Sequence, residues 1–457
     1  MLSILGNTTY RHLFAAQVLS LIGTGLTTVA LGLLAYDLAE GDAGQVLGTA
    51  LALKMVAYVG IAPIAGALAE RVPRRIFLVA LDLARASMVL LLPFVTATWQ
   101  VYVLVFAFQA CSAAFTPTFQ ATIPDILESE ADYTRALSLS RLAYDLESLV
   151  SPMLAGALLT VISFHWLFVG NALGFLASAA LVVSVTLPMV RQSVVRPFRE
   201  RVTRGVWIYL ATPRLRGLLA LSFAVASAGA MVIVNTVVLV KEAFGGSDRE
   251  VALAFAAYGL GSMIVALALP RLVAPDEAGA ARIPARTAML FGAMILPAGL
   301  VLAGLSPSFG MMLAVWALLG AGASLVQTPA GLLLRRSSHA EDRPALYAAQ
   351  FALSHACWLA AYPAAGWLGA AIGLGPTFFV LAVGAGVGAA AALVLWPRHD
   401  PEIVEHEHLP IAHSHAVARD GHHRADPAAA GSFHRHAPTR HAHAFVIDDH
   451  HPVWPRR

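Results

Sequence analysis

Lysine is almost absent: Lys54 and Lys241 are the only two among 457 residues. They follow Leu53 and Val240, so the chain holds no G-x-x-x-x-G-K-S/T phosphate loop, and any pumping must draw on a gradient or a separate ATPase subunit. Charge of either sign is scarce too. Charged residues make up 12% of the chain, against about 25% in a soluble globular domain, which excludes that class. Two cysteines occur, Cys111 and Cys357, both inside apolar runs where a thiol packs as a small hydrophobe. A net charge of +3 carries no nucleic-acid footprint. No nucleic-acid partner, no catalytic residues and no enzymatic activity are expected.

What remains is apolar. Hydrophobic residues are 58% of the chain, and the mean hydropathy is +0.70. A helix crosses roughly 30 Å of hydrocarbon with about 20 mostly apolar residues. Twelve stretches can do so, among them Leu13 to Tyr36, Ile76 to Ala97, Trp166 to Pro188 and Phe378 to Trp396. The first is too long for a signal-peptide core and lacks a small-residue cleavage pattern, so it reads as a retained span. Arginine falls on every second connection: Arg71, Arg74 and Arg75 after the second stretch, seven arginines between Arg191 and Arg216 after the sixth, Arg335, Arg336 and Arg343 after the tenth. By the positive-inside rule these connections, and both termini, face the cytoplasmic side of a plasma membrane.

Six stretches end near Pro188 and six more run to Trp396. The chain is therefore divided into an N-terminal six-helix bundle (residues 1–190), a cytoplasmic linker (191–213), a C-terminal six-helix bundle (214–397) and a tail (398–457). The halves share a motif. Ser112-Ala113-Ala114-Phe115-Thr116-Pro117 in the fourth stretch and Ser324-Leu325-Val326-Gln327-Thr328-Pro329 in the tenth both read S-x3-T-P, as expected of repeated bundles with a site between them. In the linker, Phe198, Val202, Val206 and Tyr209 recur at helical spacing among arginines, the pattern of an interfacial helix on the anionic inner leaflet. Simple topology-setting charge is the alternative.

Gly66-Ala67-Leu68-Ala69-Glu70-Arg71-Val72-Pro73-Arg74-Arg75 resembles the signature loop between the second and third helices of the major facilitator superfamily, with Glu70 in place of Asp and Pro73 in place of Gly. The resemblance covers residues 1 to about 397. It implies the major facilitator fold: an all-α membrane protein with twelve transmembrane helices in two bundles that rock about a central cavity. Gly66, Glu70, Arg71, Arg74 and Arg75 would form its cytoplasmic gating loop. On the fifth helix, Ser151-Pro152-Met153-Leu154-Ala155-Gly156 keeps the proline and one glycine of the pattern carried by the superfamily's antiporters, which implies export. The arginine that its proton-coupled drug antiporters carry on the fourth helix is missing from Phe106-Ala107-Phe108-Gln109.

Charges at membrane depth cost about 2.5 to 3.5 kcal/mol on insertion scales, so they face the protein interior or a cavity. Asp82 and Arg85 are three apart, and Arg141 and Asp145 four apart, so each pair can meet on one helical face while Glu147 points elsewhere. They read either as neutralised structural pairs or as coupling residues, with Asp82, Asp145 or Glu147 taking up a proton during the cycle. Lys54 is expected to snorkel outward toward Asp37. Uncharged stripes trace a substrate path: Gln17, Ser20, Thr24 and Thr28 on the first helix, Gln109, Ser112, Thr116 and Gln120 on the fourth, and Gly320, Ser324, Gln327 and Gly331 on the tenth. The alternative for each is interhelical hydrogen bonding and close packing. His355, sharing a face with Phe351, Trp358 and Tyr362, reads as a hydrogen-bonded packing histidine.

From His406 onward every histidine belongs to a pair: His406/His408, His413/His415, His422/His423, His434/His436, His441/His443 and His450/His451. Pro410, Gly421, Pro427, Gly431, Pro438 and Pro452 prevent a long helix, so the tail is expected to be disordered and locally extended, which turns residues i and i+2 to the same side. Imidazole without thiolate suits nickel, cobalt, zinc or copper. The layout resembles nickel-resistance exporters of the same superfamily that end in histidine-rich tails. A low-complexity tail, or one that turns positive below a pH of about 6.5 and clings to the membrane, is the alternative. The sequence is thus read as a monomeric secondary transporter that needs no cofactor, binds divalent metal in its tail, and has the bilayer and a small molecule or metal ion as partners. It exports nickel or cobalt, or else small organic toxins or drugs, or else is a non-transporting metal sensor.

Overall fold

The computed structural model describes residues 2–39, 43–69, 71–188, 197–273, 282–305, 308–400, 403–408, 412–414, 423–425, 433–436, 439–449 and 451–455. Its helices are α1 (Thr8–Ala39), α2 (Ala43–Ala69), α3 (Arg74–Leu91), α4 (Thr98–Ile126), α5 (Glu130–Leu159), α6 (His165–Val183), α7 (Phe198–Ala211), α8 (Pro213–Val238), α9 (Asp248–Val273), α10 (Ala285–Gly304), α11 (Phe309–Gln327), α12 (Ala330–Arg336), α13 (Arg343–Ile372) and α14 (Leu374–Leu395). Ten spans among the described residues are long and apolar enough to cross a membrane, α11 and α12 counting as one. Helices α5 and α13 have the length, 30 residues each, but a more polar composition. Their position explains it. Helix α5 packs on α9 and α13 on α2, so both stand between the halves, where polar groups face the other bundle instead of lipid. With these two, twelve helical spans of membrane-crossing length lie among the described residues.

Neighbour relations repeat between the halves. Helix α1 packs on α6 as α8 does on α14, α2 on α4 as α9 on α11, and α3 on α6 as α10 on α14. The contacts across the middle, α5 on α9 and α13 on α2, are each other's counterparts. Missing side chains permit the closest approach: Gly261 lies against the Ala317 carbonyl and Gly320 against that of Tyr258, with no room for a Cβ at either. Gly320 is therefore a packing position. The shared S-x3-T-P motif folds in two ways, since Pro117 lies inside continuous α4 whereas Thr328-Pro329 interrupts the tenth span between α11 and α12.

Helix α7 differs from the expected interfacial helix. Its buried face is Arg201, Arg204, Gly205, Ile208 and Tyr209, and it packs against α13, α2 and α8, while Phe198 is exposed and Val202 and Val206 are half-buried. Pairing is the reason for Arg204, which meets Asp342 and Asp449 and can therefore turn inward.

The tail contains β1 (Ile403–His408), β2 (Ala412–Ser414), β3 (His423–Ala425), β4 (Phe433–His436) and β5 (Thr439–Ala444). Strand β1 pairs with β5, and β4 lies between β2 and β3, all antiparallel. Beyond them Phe445, Val446 and Ile447 are buried. The described strands are locally extended, as expected of the tail, and the apolar run at 445–447 packs into the core.

Candidate substrate path and gate

Contacts between the halves close the arginine-rich end of the bundle. Helix α4 places Asp125 there, between Arg74 at the start of α3 and Arg343 at the start of α13. Arg74 Nη1 lies 2.5 Å from Asp125 Oδ2, and Arg343 pairs with Oδ1 of the same carboxylate. Arg74 and Asp125 belong to one half and Arg343 to the other, so a single carboxylate ties the signature loop to the opposite bundle. Tyr133 and Tyr347, near the starts of the repeat-related α5 and α13, share a buried O–H···O bond of 2.6 Å. Arg336 pairs with Glu130, and Arg335 donates to the Glu128 carbonyl. Gly66 faces Ala348, where a Cβ would stand 2.8 Å from that side chain, so α2 and α13 can meet only because position 66 has none. Of the other expected gating residues, Arg71 is exposed, Arg75 reaches the Val183 carbonyl at the end of α6, and Glu70 lies outside the described residues.

About halfway along the helices a second polar layer crosses the interface. Arg141 donates through Nε to Ser262 of α9 at 2.9 Å and through Nη1 to Gln327 of α11 at 2.8 Å, and its Nη2 lies 3.1 Å from Asp145. The four-residue pair thus also bridges the halves. On the α2–α13 side, Tyr58 donates to Gln109 of α4 at 3.0 Å, stands edge-on to His355 with ring centroids 4.7 Å apart, and packs on Phe351 at 4.8 Å. Lys54, one turn before Tyr58, holds its ammonium 5.6 Å from that ring and feels the charge of Glu147 on α5. It points inward, contrary to expectation, because an aromatic face and a carboxylate inside offer more than the lipid boundary. The Asp37 side chain lies outside the described residues. His355 Nδ1 is 2.7 Å from the Phe351 carbonyl. Glu147 and Ser151 rest against Gly25 of α1, and the side chains of Pro152 and Met153 lie outside the described residues. Gln17 accepts from Ser140 of α5 at 3.1 Å, and Tyr144 stands beside Gln17 and Gln120.

Other expected residues work inside one half. Asp82 and Arg85 pair in full burial, Ser178 of α6 donates to Asp82 at 2.8 Å, and the Arg85 guanidinium lies 4.0 and 4.3 Å from the Phe115 and Phe175 ring centres. Both charges are paired within the N-terminal half. Several stripe hydroxyls bond to their own helix: Thr24 to the Ser20 carbonyl, Thr28 to that of Thr24, and Ser112 to that of Phe108. Ser324 shares a bond with Thr328, Thr116 is half-buried, and Gly331 packs against Tyr133 and Leu137. The amides Gln17, Gln109, Gln120 and Gln327 bond to or stand beside another helix. Asp125, Tyr58, Tyr133, Ser262 and Tyr347 were not singled out by sequence. A signal existed for the two tyrosines at matching places in the repeat, and none for Asp125.

In the tail, His415, His422 and His450 lie outside the described residues, as do the side chains of His406, His408, His413, His423, His434, His436, His441 and His443. Backbone register sets His406 opposite His441, His413 opposite His434 and His423 opposite His436. His451 Nδ1 lies 2.9 Å from Asp448 Oδ1, and its ring packs on Phe445. Among the described residues no group of three or more His, Cys, Asp or Glu is placed to hold a metal ion.

Known proteins share this architecture. Over 171 residues the chain is 29% identical to an uncharacterized MFS-type transporter, YfiS of Bacillus subtilis (strain 168), a match spanning 37% of this chain and 40% of that protein. The crystal structure of the human organic anion transporter MFSD10 (TETRAN) superposes with a TM-score of 0.70 at 12% identity, covering 84% of this chain and 98% of that one. A bacterial homologue of the iron transporter ferroportin, crystallised in the outward-facing state, gives 0.66 at 15% identity, covering 85% and 97%. At such identities the likeness is one of fold. The sequence pattern of the Major Facilitator Superfamily matches residues 13–273 and 218–434, and the chain belongs to that superfamily.

Proposed function

We propose that the chain is a secondary active transporter of the plasma membrane that works by alternating access and exports a small organic molecule. What carries this is the mid-membrane layer between the halves, where Tyr58, Gln109, Gln17, Phe351 and His355 offer aromatic surface and amides, with Lys54 and Glu147 as opposite charges. A dication about 6 Å from Lys54 would meet roughly 5 kcal/mol of repulsion at an effective dielectric of about 20, and Glu147 offsets no more than a similar amount. An organic solute with its own amide, hydroxyl or carboxylate suits such a layer better. The arginine asymmetry supports a cytoplasmic placement of the sealed end, which makes this the outward-facing form of the cycle.

The tail favours a second reading. Histidines set opposite one another across strand pairs suit capture of nickel, cobalt or zinc, and hence metal export. Growth inhibition by a panel of organic toxins and of these metals, with the gene, without it and with Lys54→Gln, separates the two. Protection against organic compounds that Lys54→Gln removes is expected. Protection against metals alone, lost on deleting residues 405–457, would replace the organic reading, and protection against nothing would remove both.

A further inference from the structure

Two anchors hold the histidine-rich tail against the arginine-rich face. At its start, Asp400 lies 3.1 Å from Arg214 at the beginning of α8 and accepts from the Trp396 indole at 2.9 Å. At its end, Phe445, Val446 and Ile447 are only 3%, 6% and 1% exposed. Trp454 packs edge-on against Phe445 at 5.0 Å and lies 5.2 Å beneath the Arg214 guanidinium. The two carboxylates between them touch different elements. Asp448 lies 3.4 Å from His339, in the connection between α12 and α13, and 2.9 Å from His451, while Asp449 pairs with Arg204 of α7 at 2.8 Å. Arg204 also holds Asp342, the residue before α13, through bonds of 2.9 and 3.1 Å.

The segment therefore joins the linker helix, the start of α8 and the connection that leads into α13. The first turns of α13 are the ones that close on Asp125, Tyr133 and Gly66, and α7 packs against both α2 and α13. We propose that residues 445–454 are a clasp: the arginine-rich face is a docking surface for the chain's own C-terminal segment, and its occupancy holds the gate shut. Opening must separate α13 from α2 and α5, so it must first loosen the stack that the clasp ties together. In sequence the histidine-rich stretch lies between the two anchors, so it is tied to the clasp at both ends.

The clasp is sensitive to protons. The hydrogen bond to Asp448 holds His339 above the usual histidine range against the opposing effect of burial, and Asp448, Glu341 and Asp342 add their charges to the same effect. A histidine whose folded pKa is raised stabilises fully below its ordinary pKa and loses that contribution as pH climbs through the raised value. The clasp thus tightens in acid and loosens toward alkaline pH.

Leu137 of α5 packs against Gly331 across the gate, so a cysteine there reports opening. In a Cys111→Ser, Cys357→Ser, Leu137→Cys protein, the rate of modification by a hydrophilic maleimide is measured for the full chain, for Ile447→Asp, and for a chain ending at Ala444 with and without a synthetic peptide of residues 445–457. Both variants should label about tenfold faster, the peptide should restore the slow rate, and the ratio of the full-chain rate to the shortened-chain rate, in which the rise of thiolate with pH cancels, should grow from pH 6 to pH 8. Unchanged labelling in both variants, or a shortened chain that the peptide does not slow, would overturn the proposal.

Discussion

Replacing Asp125 by Asn should shift the protein from the sealed to the open arrangement at its arginine-rich end. The carboxylate is 10% exposed, and the Arg74 and Arg343 side chains that share it are 2% and 15% exposed. Breaking a buried pair by removing one partner costs about 3 to 5 kcal/mol, but most of that falls on both states, because Arg74 and Asp125 ride in the same half throughout the cycle. The state-dependent part is the bond to Arg343, and a hydrogen bond between charged groups is worth about 1.5 to 3 kcal/mol. That corresponds to a shift of roughly ten- to a hundredfold in the ratio of the two states. Arg343→Gln removes the cross-half bond alone, so it should give a similar shift with a smaller loss of thermal stability than Asp125→Asn. Spin labels on Thr8→Cys and Arg271→Cys, exposed at this end on opposite halves, in a chain with both native cysteines replaced, report the separation by electron–electron resonance. The full chain should give one short distance, and each variant should add a longer one. If both variants keep the single short distance, the Asp125–Arg343 pair does not hold the gate.

Two further outcomes follow from the same geometry. Gly66→Leu forces a side chain into the Ala348 contact and should abolish transport with near-normal membrane abundance, whereas Gly60→Leu, at a site where a Cβ meets nothing within 4 Å, should leave transport intact; equal activity in the two, measured by growth protection, would remove Gly66 from the gate. Reporter fusions after Arg216 and at Arg457 should both read cytoplasmic, as the arginine asymmetry requires, and an outside signal at either would invert the assignment of the sealed end.

The sequence by itself determined the membrane class, the twelve spans and their division into two bundles. Span length and loop arginine are set by bilayer thickness and surface charge, which act on each segment alone. The helical spacing of Asp82 with Arg85 and of Arg141 with Asp145 was legible for the same reason, since a helix fixes which neighbours share a face. Partners on other helices were not. Asp125 acquires its meaning only when α13 brings Arg343 to it, Lys54 turns inward only because Tyr58 and Glu147 await it there, and Arg204 of α7 is buried only because Asp342 and Asp449 supply charges from 138 and 245 residues away. The end of the tail makes the same point. Its composition predicts a chain unable to bury enough apolar surface to order itself, and Phe445, Val446 and Ile447 do so on a core that another part of the chain has already built.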